Sequence, residues 1–158
     1  MIHYGLLLLA AIGTTKLTVQ STAFAQNGFI PAKYTCMGEN ISPEISITGI
    51  PEGTKSLALI MDDPDAPSGD FVHWVMWNIP VQEKIAENTA PGMQGLNGRK
   101  ETKYTGPCPP SGTHHYHFKI YALDTELSLL TTTDKQGLLL AMKGHILGTG
   151  ELIGLFKK

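Results

Sequence analysis

Basic residues and long apolar runs are both scarce in this chain. Its 158 residues include 12 Lys and Arg against 14 Asp and Glu, which gives a formal net charge of −2. Nucleic-acid-binding domains usually carry clustered positive charge, so no nucleic-acid partner is expected. The small basic groups at 99–103 and 157–158 are interpreted as a solvated loop and tail. The apolar run 6–12 is far shorter than the roughly 20 residues of a membrane-spanning helix.

The N-terminal segment 1–13 is interpreted as a possible signal peptide or N-terminal extension. Its apolar run 6–12 leads into small residues, as in a secretory signal. Processing near Gly13 is favoured over a site after Ala25, because the second site lies inside a predicted strand over 17–24. A signal implies a periplasmic or secreted protein, and a cytoplasmic protein with an uncleaved extension is the alternative.

Cysteine is limited to Cys36 and Cys108, whose spacing fits no zinc motif with closely paired ligands. If the protein is exported, a disulfide between them is expected, and two separate buried thiols are the alternative. No serine stands in a Gly-x-Ser-x-Gly elbow, although Ser42, Ser68 and Ser111 are candidates near a histidine. A metal site and a serine hydrolase are therefore minor alternatives, and no cofactor is expected.

No repeat or linker divides the sequence, so residues 14–158 are predicted to form one domain. The predicted strands are short runs rich in apolar, β-branched or aromatic residues, bounded by Gly and Pro. The glycines at 148, 150 and 154 suggest bulges or close packing in the last of these strands. The main strands are predicted over 56–61, 72–79, 115–123 and 146–156.

One helix is predicted, over 133–144. Thr133 and Gln136 have the spacing of a capping box, and Gly144 suits the C-terminal end. Many short strands with a single helix favour an all-β fold with minor α content, namely an antiparallel β-sandwich.

Two Pro-rich loops, each beside a predicted strand, place polar side chains where a pocket could form. Loops positioned by a rigid scaffold commonly carry binding groups, and the residues concerned here are Asp63, Asp65, His73, His114 and Tyr116.

Strand periodicity assigns faces to these side chains. It puts His114 and Tyr116 on one face and His115 on the other. The same rule puts His73 on one face with Phe71 and Val75. Taken singly, His73 could be an ordinary core residue, and the two aspartates could be part of an Asx turn.

Binding of a phosphate-like anion is the chemistry that these residues fit best. Histidine side chains, a tyrosine hydroxyl and backbone N–H groups can donate hydrogen bonds to an oxyanion. A nearby carboxylate can orient a histidine and favour its charged form.

From residue 17 onward the chain resembles the phosphatidylethanolamine-binding proteins, also called Raf-kinase-inhibitor-like proteins, and most closely their bacterial and archaeal branch. The resemblance rests on several motifs in the right order. They are 33–36, 38–43, 63–67, 73–74, 78–80, 106–110, His114 with Tyr116, and 121–124.

This resemblance implies a β-sandwich with a small pocket for phosphate-like head groups. Family members are known as phospholipid head-group binders and as inhibitors of kinases or serine proteases, and a homodimer is plausible. Two departures are present: His115 stands where the family usually has Arg, and 97–103 lacks an aromatic residue common in bacterial relatives. The implied pocket residues are Asp63, Asp65, Pro67, His73, Cys108 through its backbone, Pro109, Pro110, His114 and Tyr116.

The resulting hypothesis is a non-enzymatic anion-binding domain. His73 and His114 donate to the anion with the Tyr116 hydroxyl, Asp63 orients a histidine, and Asp65 supports the loop. The alternatives are a small hydrolase that uses Asp63 or a histidine as general base, and a protein-level inhibitor that acts through exposed loops.

Overall fold

Two β-sheets and one helix make up the part of the chain that the structure, a computed structural model, describes: residues 13–158. The elements in chain order are β1 (Thr15–Lys16), β2 (Thr18–Gln20), β3 (Gly28–Phe29), β4 (Ile45–Thr48), β5 (Ser56–Asp63), β6 (Phe71–Ile79), β7 (Lys84–Ile85), β8 (Met93–Gln94), β9 (Thr113–Leu123), α1 (Lys135–Met142) and β10 (Ile146–Lys157).

The larger sheet has the strand order β1-β10-β9-β5-β6-β8, with β3 also beside β10, and the smaller sheet has the order β2-β4-β7. Most neighbouring strands are antiparallel, but β1 and β3 pair with β10 in parallel. The β-sandwich with one helix near the C-terminus is therefore confirmed, although its larger sheet is mixed rather than purely antiparallel.

Both faces of the larger sheet are covered. All eight residues of β5 are buried, as its continuous apolar run predicts. Its residues Leu57, Leu59 and Met61 belong to the main core between the two sheets. Ala58 and Ile60 instead face a second core on the side of α1. A scaffold packed on both faces holds the strand ends, and hence the loops between them, in place.

The ends of several elements differ from the predictions. Each of the four main predicted strands is present and is longer by one or two residues. Of the strand predicted over 17–24 only Thr18–Gln20 (β2) is present, and it lies in the smaller sheet, whereas β1 just before it lies in the larger one. The helix spans Lys135–Met142, and Asp134 rather than Thr133 caps it by accepting from the Gly137 N–H at 3.0 Å. Gly144 has φ +83°, as expected for a helix stop.

The proposed signal segment lies outside the described residues except for Gly13, so signal and export stay predictions. Within residues 13–158, no helix has both the length and the apolar character needed to cross a membrane.

Glycines in β10 allow close approach of other segments. A Cβ on Gly150 would collide with the backbone carbonyl of Leu17, and one on Gly154 would lie within 2.7 Å of Phe24 and Ile30 side-chain atoms. The register of β10 against β9 also shifts between Ile146 and Gly148. Both the bulge and the close packing suggested by these glycines are thus present.

A disulfide joins Cys36 to Cys108, with 5.4 Å between their Cα atoms and a sequence separation of 72. Its pairing is as predicted for an exported protein. Next to it the Cys36 N–H donates to the Pro107 carbonyl at 3.1 Å, and the Gly106 N–H donates to Asn40 Oδ1 at 2.8 Å. These contacts fasten the loop that precedes β9 to the segment after β3.

We expect Gly150→Ala to destabilise the fold, although Gly→Ala within a strand ordinarily stabilises it. The new methyl group meets fixed backbone, so the expected cost is about 1–3 kcal/mol, as for overpacked cores. Urea unfolding checks this, with Gly13→Ala as the control, because no atom of residues 13–158 lies within 4 Å of a Cβ there. Equal or greater stability of Gly150→Ala would show that Leu17 does not pack against β10 in this way.

Replacing both Cys36 and Cys108 by Ser should lower the free energy of unfolding by roughly 2–5 kcal/mol, because the open chain gains entropy in the unfolded state. Denaturant unfolding of the double variant against the oxidised wild type measures this. If reduction of the wild type with a dithiol leaves its unfolding midpoint unchanged, the crosslink does not form.

Candidate functional site

A cavity of about 200 Å³ lies at one end of the larger sheet. Antiparallel pairing of β5 with β9 brings the end of β5 beside the start of β9, and Asp62 pairs with His117 there. The two Pro-rich loops therefore meet at the same sheet end, as the sequence suggests. Eight of the nine predicted pocket residues line this cavity: Asp63, Pro67, His73, Cys108, Pro109, Pro110, His114 and Tyr116. Their part in ligand binding stays a prediction.

Asp63 and His114 form a buried pair in this cavity. Oδ2 of Asp63 lies 2.7 Å from Nδ1 of His114, and the two side chains are only 5% and 8% exposed. An ionised carboxylate can only accept, so Nδ1 of the ring carries the hydrogen and donates it. Nε2 of His114 is left for other partners, and the predicted orienting role of Asp63 agrees with this geometry.

His73 reaches the same cavity because of a β-bulge. Met61 pairs with Trp74, but the next residue, Asp62, pairs with Val72, so His73 is an extra residue on β6. The ring centroid of His73 lies 5.2 Å from that of Tyr116.

The predicted face of His73 is therefore wrong in part. Its ring contacts that of Phe71 with 4.8 Å between centroids, as predicted. Val75, however, packs in the second core on the opposite side of the sheet. The bulge breaks the alternation on which the prediction relied.

His73 is held in its neutral form. Nδ1 lies 2.7 Å from the Thr105 carbonyl oxygen and donates to it, which leaves Nε2 as the second ring nitrogen. Burial lowers the pKa of His73, and the Thr105 hydrogen bond and the nearby Asp63 charge oppose this lowering only in part. At neutral pH Nε2 therefore lacks a proton unless another negative charge arrives.

Tyr116 has a fully buried hydroxyl without a hydrogen-bond partner among residues 13–158. Burial raises the pKa of this phenol, and the Asp63 and Asp65 carboxylates raise it further. The group is thus a neutral O–H donor. A buried polar group with no partner typically lowers the free energy of unfolding by about 1–3 kcal/mol. This hydroxyl therefore destabilises the fold unless a group in the cavity accepts a hydrogen bond from it.

Asp65 does not line the cavity, although it was predicted to. Its Oδ2 accepts from the backbone N–H of His115 at 2.8 Å and from Nδ1 of the same residue at 2.7 Å. Hydrogen bonds from the His115 side chain, and then from its backbone, lower the pKa of Asp65. The N–H of Asp65 in turn donates to Asp63 Oδ1 at 2.8 Å. His115 therefore supplies a partner at the position where the resemblance implies an Arg.

Asp62, adjacent to Asp63 in sequence, does not line the cavity and forms ion pairs with two lysines instead. Its buried carboxylate accepts from Lys119 at 2.9 Å and from Lys135 at 2.7 Å. Lys135 also donates to Asp70 at 2.6 Å. This ion-pair network fixes the start of α1 to the sheet, and Asp63 is the carboxylate that lines the cavity.

Six residues that line the cavity were not predicted as pocket residues: Ala66, Ser68, Phe71, Arg99, Thr105 and Gly106. Ala66 and Gly106 lie within the motifs 63–67 and 106–110, and Ser68 was considered only as a serine candidate. Phe71 and Thr105 carry no sequence signal beyond their neighbours. Arg99 does stand in a small basic group, which was interpreted as a solvated loop. Arg99 is exposed, as expected for a solvated loop, but it also lines the cavity. The segment 97–103 therefore supplies a charged side chain rather than an aromatic one to the cavity wall.

Comparison with known proteins identifies relatives over nearly the whole described chain. The family model described as phosphatidylethanolamine-binding protein matches residues 20–157. A UPF0098 protein of Methanothermobacter thermautotrophicus is 47% identical over 150 residues, covering 90% of this chain and 99% of that protein. A UPF0098 protein of Pyrococcus abyssi is 45% identical over 157 residues, covering 92% and 88%.

Solved structures agree with these matches. A phosphatidylethanolamine-binding protein homolog from Chlamydia trachomatis, CT736, superposes with a TM-score of 0.87 at 41% identity, covering 92% of this chain and 99% of that one. Escherichia coli YbcL, described as a member of the mammalian family, superposes with a TM-score of 0.83 at 26% identity, covering 91% and 99%. The chain therefore belongs to the phosphatidylethanolamine-binding protein family.

Proposed function

We propose that this domain binds a phosphate-like anion, or a small head group that carries one, and does not transform it. The observation that carries the proposal is the buried hydroxyl of Tyr116, which lies beside two imidazoles and has no hydrogen-bond partner in the described part of the chain. A ligand oxygen that accepts from this hydroxyl would remove the cost of its burial.

The hydrogen bonds of the two histidines support the same ligand. In His73 and in His114 the Nδ1 atom is already bonded to a protein oxygen, so Nε2 is the atom that remains. An imidazole donates from Nε2 only when that nitrogen holds a proton. Entry of an anion favours that protonation, and the site gains donors as the ligand binds.

The size of the cavity favours a head group over a whole lipid. Pockets for drug-sized ligands usually measure about 300–1,000 Å³, whereas this one measures about 200 Å³. Pro67, Pro109 and Pro110 form part of the wall, and proline has a fixed φ angle, so the mouth cannot widen easily.

The hydrolase alternative receives less support. One oxygen of Asp63 accepts from His114 and the other from the Asp65 N–H, so the contacts of this carboxylate orient the ring and the loop, as the binding proposal requires. A serine nucleophile needs a hydrogen bond to its base. Ser68 lines the cavity, but in the described part of the chain its hydroxyl makes no hydrogen bond to either pocket histidine.

Tyr116→Phe should weaken anion binding while leaving the unliganded protein at least as stable. The substitution deletes only an unpartnered polar group, which is neutral or stabilising for folding. One lost hydrogen bond should lower phosphorylethanolamine affinity about three- to tenfold. Calorimetric titration and urea unfolding measure the two effects.

Tyr104→Phe is the matched control. The Tyr104 hydroxyl donates to the Tyr34 carbonyl at 2.7 Å, so its loss should cost about 1 kcal/mol of stability with little change in affinity. Unchanged affinity in Tyr116→Phe would remove the Tyr116 hydroxyl from the site.

Anion affinity should rise as pH falls from 8 to 5. The pKa of His73 lies below its ordinary value, so the ring gains its second proton only as pH drops or as an anion binds. Sulfate is the appropriate probe, because its own charge is constant over this range. The charged groups that act on the ring are Asp63, Arg99 and Asp62.

His73→Gln should therefore flatten the pH dependence of sulfate affinity. The same measurement on His114→Gln shows how far the other ring contributes. A change of up to about tenfold per pH unit is expected for one coupled proton. A wild-type affinity that is constant between pH 5 and pH 8 would contradict proton-linked binding.

A further inference from the structure

Arg99 is placed at the cavity by a loop that is rigid without help from Arg99 itself. The buried Asn97 side chain accepts from the backbone N–H groups of Arg99 at 2.8 Å and Glu101 at 3.1 Å, and it donates to the Lys103 carbonyl at 2.9 Å. The Gly98 N–H also donates to the Val72 carbonyl at 2.8 Å. The exposed Arg99 side chain can therefore change without unfolding the loop.

The charge of Arg99 is available to a ligand. Within the described range the Arg99 guanidinium has neither an ion pair with a carboxylate nor a side-chain hydrogen bond. The neighbouring basic residues differ in this respect. Lys103 pairs with Glu101 at 3.4 Å, and Lys100 lines another cavity together with Asp134 and Lys135.

The interior of the pocket lacks a permanent positive charge. Asp63 contributes a carboxylate, and burial is the main reason that the pKa of His73 is lowered, with the Arg99 charge adding to this. Among the described residues that line the cavity, Arg99 is the only lysine or arginine. A ligand with two negative charges therefore needs Arg99 more than a ligand with one.

We propose that Arg99 makes this pocket selective for phosphate monoesters in their dianionic form over phosphate diesters. The proposal rests on the proposed function and names its ligand class. A monoester presents three terminal oxygens and a diester only two. The Tyr116 hydroxyl and the two Nε2 atoms can bind inner oxygens, while a guanidinium can bind two phosphate oxygens side by side at the mouth.

Calorimetric titration at pH 7 with phosphorylethanolamine, a monoester, and glycerophosphorylethanolamine, a diester, tests this selectivity. The second pKa of a phosphate monoester is about 6, so the dianion predominates at that pH. The wild type should prefer the monoester, and Arg99→Gln should lose about tenfold or more of monoester affinity but at most about threefold of diester affinity. The monoester affinity of Arg99→Lys should lie between those of the wild type and Arg99→Gln, because lysine keeps the charge and loses the paired donors.

Lys100→Gln is the matched control, since it removes the same charge one residue away and should leave both affinities unchanged. Equal losses in Lys100→Gln and Arg99→Gln would overturn the proposal, because they would show a general effect of surface charge. An unchanged preference in Arg99→Gln would also overturn it while leaving anion binding intact. If the wild type bound neither phosphate compound, the proposed function would fail together with this inference.

Discussion

The buried hydrogen bond between Asp63 and His114 is the contact on which the pocket depends. It joins the last residue of β5 to the second residue of β9, so the two loops that form the walls cannot move apart independently. The second oxygen of Asp63 accepts a hydrogen bond from the Asp65 N–H, and the Asp65 carboxylate accepts one from the His115 N–H. One buried carboxylate thus organises the loop after β5 and the start of β9, and it sets which nitrogen of His114 remains free.

This arrangement explains why buried polar side chains lie at the end of the larger sheet where the cavity is. Tyr116 is 0% and His73 is 5% exposed, so both side chains lose hydration in the folded chain. The Tyr116 hydroxyl keeps no protein partner within residues 13–158, and His73 keeps one for its two ring nitrogens. Sites built to bind charge commonly store such unfavourable contacts, which ligand binding then relieves.

The sequence was informative wherever the structure depends on local pattern. The apolar run of β5 and the alternation of β9 predicted their strands and the shared face of His114 and Tyr116. The face of His73 could not be predicted fully, because it depends on a bulge that arises only when β6 pairs with β5. Arg99 was missed for a similar reason: the buried Asn97 that places it acts through hydrogen bonds that have no sequence signature. Asp134 rather than Thr133 caps α1, while the Thr133 backbone carbonyl accepts from the Leu96 N–H across the chain.

The disulfide between Cys36 and Cys108 connects the wall of the pocket to a cysteine at the protein surface, where a thiol can reduce it. Cys108 lines the cavity with Pro109 and Pro110, while Cys36 is exposed at the surface. A thiol reagent that never enters the cavity can therefore attack this crosslink from solvent, and the hydrogen bonds at Pro107 and Gly106 would then hold the wall segment without it. The rigidity of this cavity wall would then depend on the oxidation state of the surroundings.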